Sequence, residues 1–332
     1  MEISNYIISA KDILELEESR SQFLLEGFLP KIGVALLVGV PDSAKSQLSR
    51  QLCISLIGND QDFLGFQINR EFGKALFIAT EDDRFSIKKM FELQIEGKEI
   101  NSDNLHFCFR EDLNSDQLVT MIDAHIQANP LDLVVCDTWG DISDSIDAND
   151  NSAVRKLLNQ FDAVAKKRNC LFLFVHHLNK KGSDQAPNQK HVQGAGALNQ
   201  KSRATIALNK GSGKTIYLSI LKANSLPSEL KDLSMVLEFN EENLSFINTG
   251  EKADSDTVSK AFTERKNDAK LKSYKQTIDL VFADDSLLKY SYLVSKIMAS
   301  ARIGNSTAKR WISDMLSNCM LTKTDEGYSK VA

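Results

Sequence analysis

Residues 36–46 read Leu-Leu-Val-Gly-Val-Pro-Asp-Ser-Ala-Lys-Ser, an apolar run that passes into a loop opened by Gly39 and closed by Lys45 and Ser46. The amphipathic stretch 47–56 that follows has helical spacing. The pattern is G-x-x-x-x-G-K-[ST] with one departure, Ala44 in place of the second glycine. A strand, a phosphate-sized loop and a helix in this order demand an α/β sheet, because the helix must cross back over the strand it leaves. Inward backbone N–H groups from Gly39, Val40, Pro41's neighbours, Asp42, Ser43 and Ala44, with the helix N-terminus at Lys45, Ser46 and Gln47, form a cradle for phosphate oxygens. Residues 39–47 in full, Pro41 included, are therefore the expected nucleotide-binding segment. Lys45 would reach the β- and γ-phosphates, and Ser46 would hold Mg²⁺. The cofactors implied are ATP and Mg²⁺. Ala44 adds one methyl group, which right-handed helical dihedrals tolerate, so nucleotide binding is expected to survive it.

Beyond the loop the chain alternates short apolar runs with helical stretches. The runs are 34–38, 75–79, 105–109, 133–136, 171–175, 204–208 and 216–223. Buried runs of four to eight residues separated by helices predict parallel strands covered on both faces. The last of these runs and those at 236–239 and 244–247 have short connections and predict antiparallel additions. The fold class expected is α/β, with a mostly parallel central sheet and the ligand at the strand C-terminal ends.

The chain of 332 residues suits one large domain and a small one. The large domain is expected over 1–250. Residues 251–270 are polar and predict a linker. Residues 271–332 carry helical patterns at about 271–283, 290–301 and 306–318, with a glycine-containing turn at Ile303-Gly304-Asn305 between the last two. A hairpin around Asp325-Glu326-Gly327 closes the chain. Three helices and a hairpin predict a winged helix. On its presumed recognition helix stand Ser306, Thr307, Lys309, Arg310 and Ser313, with Trp311 and Ile312 turned to the core. Such modules serve either duplex DNA or a protein partner.

Charge supports a division of labour. The net charge is −5, yet residues 252–332 hold 14 Lys and Arg against 10 Asp and Glu, and the other 251 residues hold 26 against 35. A mildly basic end on an acidic body hints at nucleic acid. No apolar run approaches the roughly 18 residues that span a bilayer, so no membrane partner is expected. The opening Met-Glu-Ile-Ser-Asn lacks a basic signal region, which predicts a cytoplasmic protein. The five cysteines show no C-x-x-C spacing, which excludes a zinc ribbon or a disulfide framework.

Three further strand ends carry chemistry. Residues 133–137 are an apolar strand ending in Asp137, a carboxylate suited to the Mg²⁺ shell. Residues 75–83 end in Glu81-Asp82-Asp83. Glu81 is the candidate for orienting and deprotonating an attacking water. Asp82 and Asp83 suit a helix N-terminus. Residues 171–177 end in His176-His177, a candidate γ-phosphate sensor, with His176 preferred over His177. The polar stretch 177–200 contains Lys180, Lys181 and Lys190. It reads either as a loop touching single-stranded DNA or as a solvated loop. Arg203 stands at a strand start, where it would project into a neighbouring subunit's nucleotide as an arginine finger, and Lys222-Ala223-Asn224 is a second candidate position.

Taken in order, residues 39–46, Asp62-Phe63-Leu64-Gly65-Phe66, Glu81-Asp82-Asp83-Arg84, Val134 to Thr138, Val175-His176-His177, 194–203 and Leu221-Lys222-Ala223-Asn224 resemble the RepA-like branch of the RecA-fold ATPases. The resemblance covers about residues 20–250. It implies a RecA-like P-loop core and a homo-oligomeric ring, a hexamer in the family's plasmid replicative helicases. It also implies Lys45 and Ser46 on phosphate and Mg²⁺, Glu81 as the base, Asp137 as the metal-shell acid, His176 or His177 as sensor and Arg203 as finger. RecA-like members take the catalytic glutamate from the neighbouring strand, and here the place after Asp137 is occupied by Thr138. The function expected is a ring-forming ATPase that translocates on or unwinds DNA in replication of a plasmid or other mobile element. The alternative is an ATP-dependent DNA-binding switch recruited by the winged helix, with slow hydrolysis.

Overall fold

The computed structural model describes residues 9–15, 22–110, 113–147, 150–178, 192, 195–223, 226 and 231–331. The chain divides into two compact units, Met1–Lys260 and Ala261–Ala332.

The first unit is built on one nine-stranded sheet. Its strands are β1 (Gly33–Gly39), β2 (Ala75–Ala79), β3 (Leu105–Phe109), β4 (Leu133–Asp137), β5 (Leu171–His177), β6 (Ala204–Lys210), β7 (Thr215–Ala223), β8 (Leu233–Asn240) and β9 (Ser245–Asp254). They lie in the order β9-β8-β7-β6-β1-β5-β4-β2-β3. From β6 to β3 every neighbouring pair is parallel, and β7, β8 and β9 extend the sheet antiparallel. The parallel strands need crossovers, which helices supply. These are α1 (Lys45–Ile57), α2 (Arg84–Ile95), α3 (Ser115–Ala128), α4 (Asn151–Arg168) and the short α5 (Ala195–Lys201).

Period two along the strands sorts the core into two layers. Ala35, Leu37, Phe77, Val135, Leu173 and Val175 face one side with Leu48, Leu52 and Leu56 of α1. Val34, Leu36, Val38, Val134, Phe172 and Phe174 face the other with residues of α3 and α4. All seven residues of β1 are buried, as a strand covered on both faces must be. In α1 the whole run from Leu48 to Ile57 is buried, so this helix is enclosed rather than half solvated. Its first turn is thereby held rigidly at the C-terminal edge of the parallel strands.

The polar stretch 251–270, expected as a linker, is regular structure. Residues up to Asp254 complete β9, and Ser255–Val281 form one helix, α6, within which the division between the units falls. Polarity there reports exposure, not lack of order, since Lys, Glu, Arg and Ala are good helix formers. The helix expected at 271–283 is the second half of α6.

In the second unit, α6 is followed by α7 (Tyr290–Ala301), α8 (Asn305–Ser317) and an antiparallel pair, β10 (Leu321–Lys323) with β11 (Tyr328–Lys330). Tyr274, Leu293, Ile297, Ala308, Ile312 and Met315 form its core. A bridge between Leu288 and Tyr328 ties the chain before α7 to the terminal pair. The turn between α7 and α8 contains Gly304, as expected, but Gly304 caps α8 in an extended conformation (φ −75°) and the left-handed residue is Arg302 (φ 53°), two positions earlier.

Candidate functional site

The loop between β1 and α1 lies at the C-terminal ends of β1, β5, β4 and β2, where strand order brings Asp137, His177 and Glu81 around it. The cavity there measures about 420 Å³. Backbone geometry keeps the loop tight. A Cβ on Gly39 would stand 2.6 Å from the Leu208 carbonyl oxygen and 2.6 Å from Ser43 Oγ, so this position admits only glycine. Asp42 and Ala44 both take positive φ, 58° and 61°.

Ala44 corrects an expectation. It sits at φ 61°, ψ 32°, in the left-handed region, and not in the right-handed helical dihedrals that a methyl group tolerates. The helix begins only at Lys45, so the residue before it carries the reversal that normally calls for glycine.

Lys45 is only 5 % exposed. Its Nζ donates to the Val40 carbonyl oxygen at 2.8 Å and to Ser43 Oγ at 3.4 Å. Burial pulls its pKa down to about 8, against the attraction of Asp137, Glu81 and Asp42. Asp137 is buried at the end of β4. Burial pushes its carboxyl up to about 6, a hydrogen bond with Ser46 opposes this, and the nearby Glu81 adds to it. One carboxylate oxygen, Oδ1, is buried with no hydrogen-bond partner. A buried acceptor left unpaired costs free energy unless a cation or donor completes it. Beside the Ser46 hydroxyl, it fits Mg²⁺, which takes hard oxygen ligands and keeps others for phosphate and water. Among the described residues no group of three His, Cys, Asp or Glu would hold a metal without such outside ligands.

Glu81 follows Thr80 at the end of β2 and lines the same cavity. Burial, then Asp141 and Asp82, raise its pKa, and Lys45 pulls it back. Asp83 instead caps α2, its Oδ1 accepting from the N–H groups of Phe85 and Ser86 at 2.7 and 3.0 Å. Asp82, expected to share that capping role, lines the cavity.

The histidine pair is reversed from expectation. His177 lines the cavity with Val175, whereas His176 is not among its lining residues. The reason is the pleat: His177 shares the α1 face with Leu173 and Val175, and His176 falls on the opposite face with Phe172 and Phe174. Burial and Lys45 lower the pKa of His177.

Arg203 is not brought to this cavity. The register pairs Ala204 with Ala35 and Leu208 with Gly39. Arg203 therefore sits at the opposite ends of the strands, about 16 Å from Gly39 at about 3.3 Å per residue. Lys222 pairs with Thr205 at the same end, where its Nζ donates to the carbonyl oxygens of Asn199 and Gln200 at 2.6 and 3.3 Å and closes the C-terminus of α5. Lys180, Lys181, Lys190, Gly194 and Asn224 lie outside the described residues. In the second unit Ser306, Lys309, Arg310 and Ser313 are exposed and Thr307 is half-buried, while Ile312 is buried and Trp311 packs against the core. Asp62–Phe63 and Phe66–Gln67 form a small hairpin that does not line the cavity.

Sequence reading missed several residues. Thr80 Oγ1 accepts from the Thr138 N–H at 2.9 Å, and Thr138 Oγ1 donates to Asp141 Oδ2 at 2.8 Å. Thr80 also bonds the Asp141 carboxylate, which locks the ends of β2 and β4 together beside Glu81. Lys210, Met90, Phe239 and Leu244 also line the cavity. None belongs to a motif. Each arrives from a distant segment, so no local signal marked them.

The family described as "AAA domain" matches residues 8–183. Among solved structures, one described as an "ATPase Domain" superposes with a TM-score of 0.54 at 12% identity, over 74% of this chain and 98% of that one. At that identity the likeness establishes the α/β fold with its mostly parallel sheet. No curated protein matches the chain.

Proposed function

This chain belongs to the AAA domain family, and we propose that it is an ATPase that acts on DNA as a homo-oligomeric ring. The observation that carries the reading is the buried Asp137 with its unpartnered Oδ1, set beside Ser46 and behind Lys45 in a glycine-locked loop. Lys45 binds the β- and γ-phosphates, and the loop N–H groups orient them. Ser46 and Asp137 would hold Mg²⁺, which supplies charge stabilisation on the phosphate oxygens when bound. Glu81, its proton affinity raised by burial and by Asp141, orients the attacking water and takes its proton. His177 senses the γ-phosphate in place of His176.

Arg203 acts only between copies. At about 16 Å from its own loop, it serves a phosphate only if that phosphate belongs to a neighbouring subunit. This supports nucleotide sites at subunit interfaces and hence a ring, six-membered in the group that the motifs resemble. The second unit, with two helices joined by a short turn and a terminal antiparallel pair, is read as a winged helix that meets duplex DNA through Lys309 and Arg310. The motor on single-stranded DNA is the first reading, a replicative helicase of a plasmid or other mobile element. The left-handed Ala44 favours a second, a slow switch that ATP assembles on duplex DNA.

Steady-state ATP hydrolysis, measured alone, with single-stranded DNA and with duplex, tests both, with Lys45→Ala as the blank. Strong stimulation by single strands supports the motor. ATP binding with little turnover on any DNA supports the switch. Turnover equal to wild type in Lys45→Ala removes the site.

A further inference from the structure

The cavity has a side that phosphate chemistry does not explain. Around the loop it is ionic, with Lys45, Glu81 and Asp137. Its remaining lining includes Met90 of α2, Phe239 near the end of β8, and Leu244 of the turn before β9, each half-buried and open to the same space. An apolar surface left facing an ionic cavity loses the free energy of burial unless an apolar ligand covers it.

This surface is held in place by a buried polar network. The Gln94 amide, 2 % exposed, donates through Nε2 to the Gln47 carbonyl oxygen at 3.0 Å and to the Leu244 carbonyl oxygen at 2.9 Å. Gln94 Oε1 accepts from Arg50 Nε at 2.6 Å, and Arg50 also donates to the Met90 sulfur at 3.5 Å. Gln51 brackets the next residue pair, donating to the Phe246 carbonyl oxygen at 3.0 Å and accepting from its N–H at 2.7 Å. The Phe246 ring lies 4.9 Å from that of Phe239. The first turns of α1, which carry the phosphate contacts, are thus tied through Arg50, Gln51 and Gln94 to the Met90 sulfur, to the Leu244 backbone and, by way of Phe246, to the Phe239 ring. Arg50 Nη1 is left buried without a partner, but the bonds that Gln94 and Gln51 make on both sides hold these segments at fixed positions.

The geometry points to Met90, Phe239 and Leu244 as the wall that receives the purine base of the nucleotide by its flat faces, with Phe239 as the stacking ring. The inference rests on the triphosphate reading of Lys45 and Asp137. A purine offers apolar faces that stack on an aromatic ring without regard to the groups on its edge. The wall therefore adds affinity for a nucleoside triphosphate over a bare triphosphate.

The test compares binding of ATP and of inorganic tripolyphosphate, each with Mg²⁺, to the full chain and to Phe239→Ala and Phe239→Trp. The expected result is that Phe239→Ala weakens ATP about tenfold or more, leaves tripolyphosphate unchanged, and that Phe239→Trp keeps ATP affinity. Unchanged tripolyphosphate binding also reports that the variant is folded. The proposal is overturned if Phe239→Ala binds ATP as the wild type does, if it loses both ligands while Phe239→Trp also loses them, or if the wild type binds tripolyphosphate as tightly as ATP. The last result leaves the triphosphate reading intact. A wild type that binds neither ligand sinks both.

Discussion

Replacing Ala44 by glycine isolates the energetic cost of the altered phosphate loop. At φ 61° and ψ 32° an L-residue sits in the left-handed region, which costs roughly 1–2 kcal/mol. Glycine removes that cost but raises the entropy of the unfolded chain by about 0.4–1 kcal/mol. It also gives up a half-buried methyl group, about 0.4 kcal/mol. The net change is a gain of about 0.5 kcal/mol. A control removes the unfolded-state contribution. Ala163 is exposed in the interior of α4, in right-handed helix, and its change to glycine costs about 1 kcal/mol. The two variants should therefore differ by about 1.5 kcal/mol, or about 3–6 °C in Tm for a unit of this size. Thermal unfolding of both variants beside the wild type, without nucleotide, reads the difference. Equal losses in the two would refute the left-handed assignment, and with it the argument that Ala44 strains the loop.

Glu81→Gln should bind ATP like the wild type and lose turnover by about 100-fold or more; a normal rate would remove Glu81 as the base. Asp137 has its pKa raised to about 6 by burial, so the folded state holds its proton more tightly than the unfolded chain does. Stability then falls as pH rises from about 4 through about 6, and above both values the ionised group carries a constant penalty of about 2–3 kcal/mol. Asp137→Asn should raise nucleotide-free stability at pH 7 by about that amount and change it little at pH 4, as denaturant titrations at the two pH values would show; equal effects at both would discard the buried-carboxylate account. In the second unit a Cβ on Gly327, at φ 155°, would stand 2.7 Å from the Leu288 carbonyl oxygen. Gly327→Ala should thus destabilise this unit by about 1–3 kcal/mol, seen as faster amide exchange in α7 and α8 with none in the sheet of the first unit; unchanged exchange would contradict the close approach.

What was legible in the chain was whatever rests on local pattern. Every apolar run from 34–38 to 204–208 coincides with a parallel strand, because a strand buried on both faces must be apolar along its length and helices between such strands leave parallel pairing, while the last three runs, with short connections, extend the sheet antiparallel. The loop at 39–46 was legible for the same reason, since its residue types and spacing are set by the chain's own backbone. The polar stretch 251–270 misled because composition reports exposure, and an exposed helix is as polar as a linker. Tertiary structure alone decided matters that depend on which residues of distant segments meet. The pleat and register chose His177 over His176 for the cavity. The pairing of β6 with β1 put Arg203 at the far ends of the strands from Lys45, out of reach of its own phosphate loop. The placement of Gln94, Arg50 and Gln51 gathered Met90, Phe239 and Leu244 from three segments into one wall. Backbone dihedrals at Ala44 were likewise beyond the sequence, because the handedness of a loop residue is imposed by the strand and helix it must join, not by the side chain it carries.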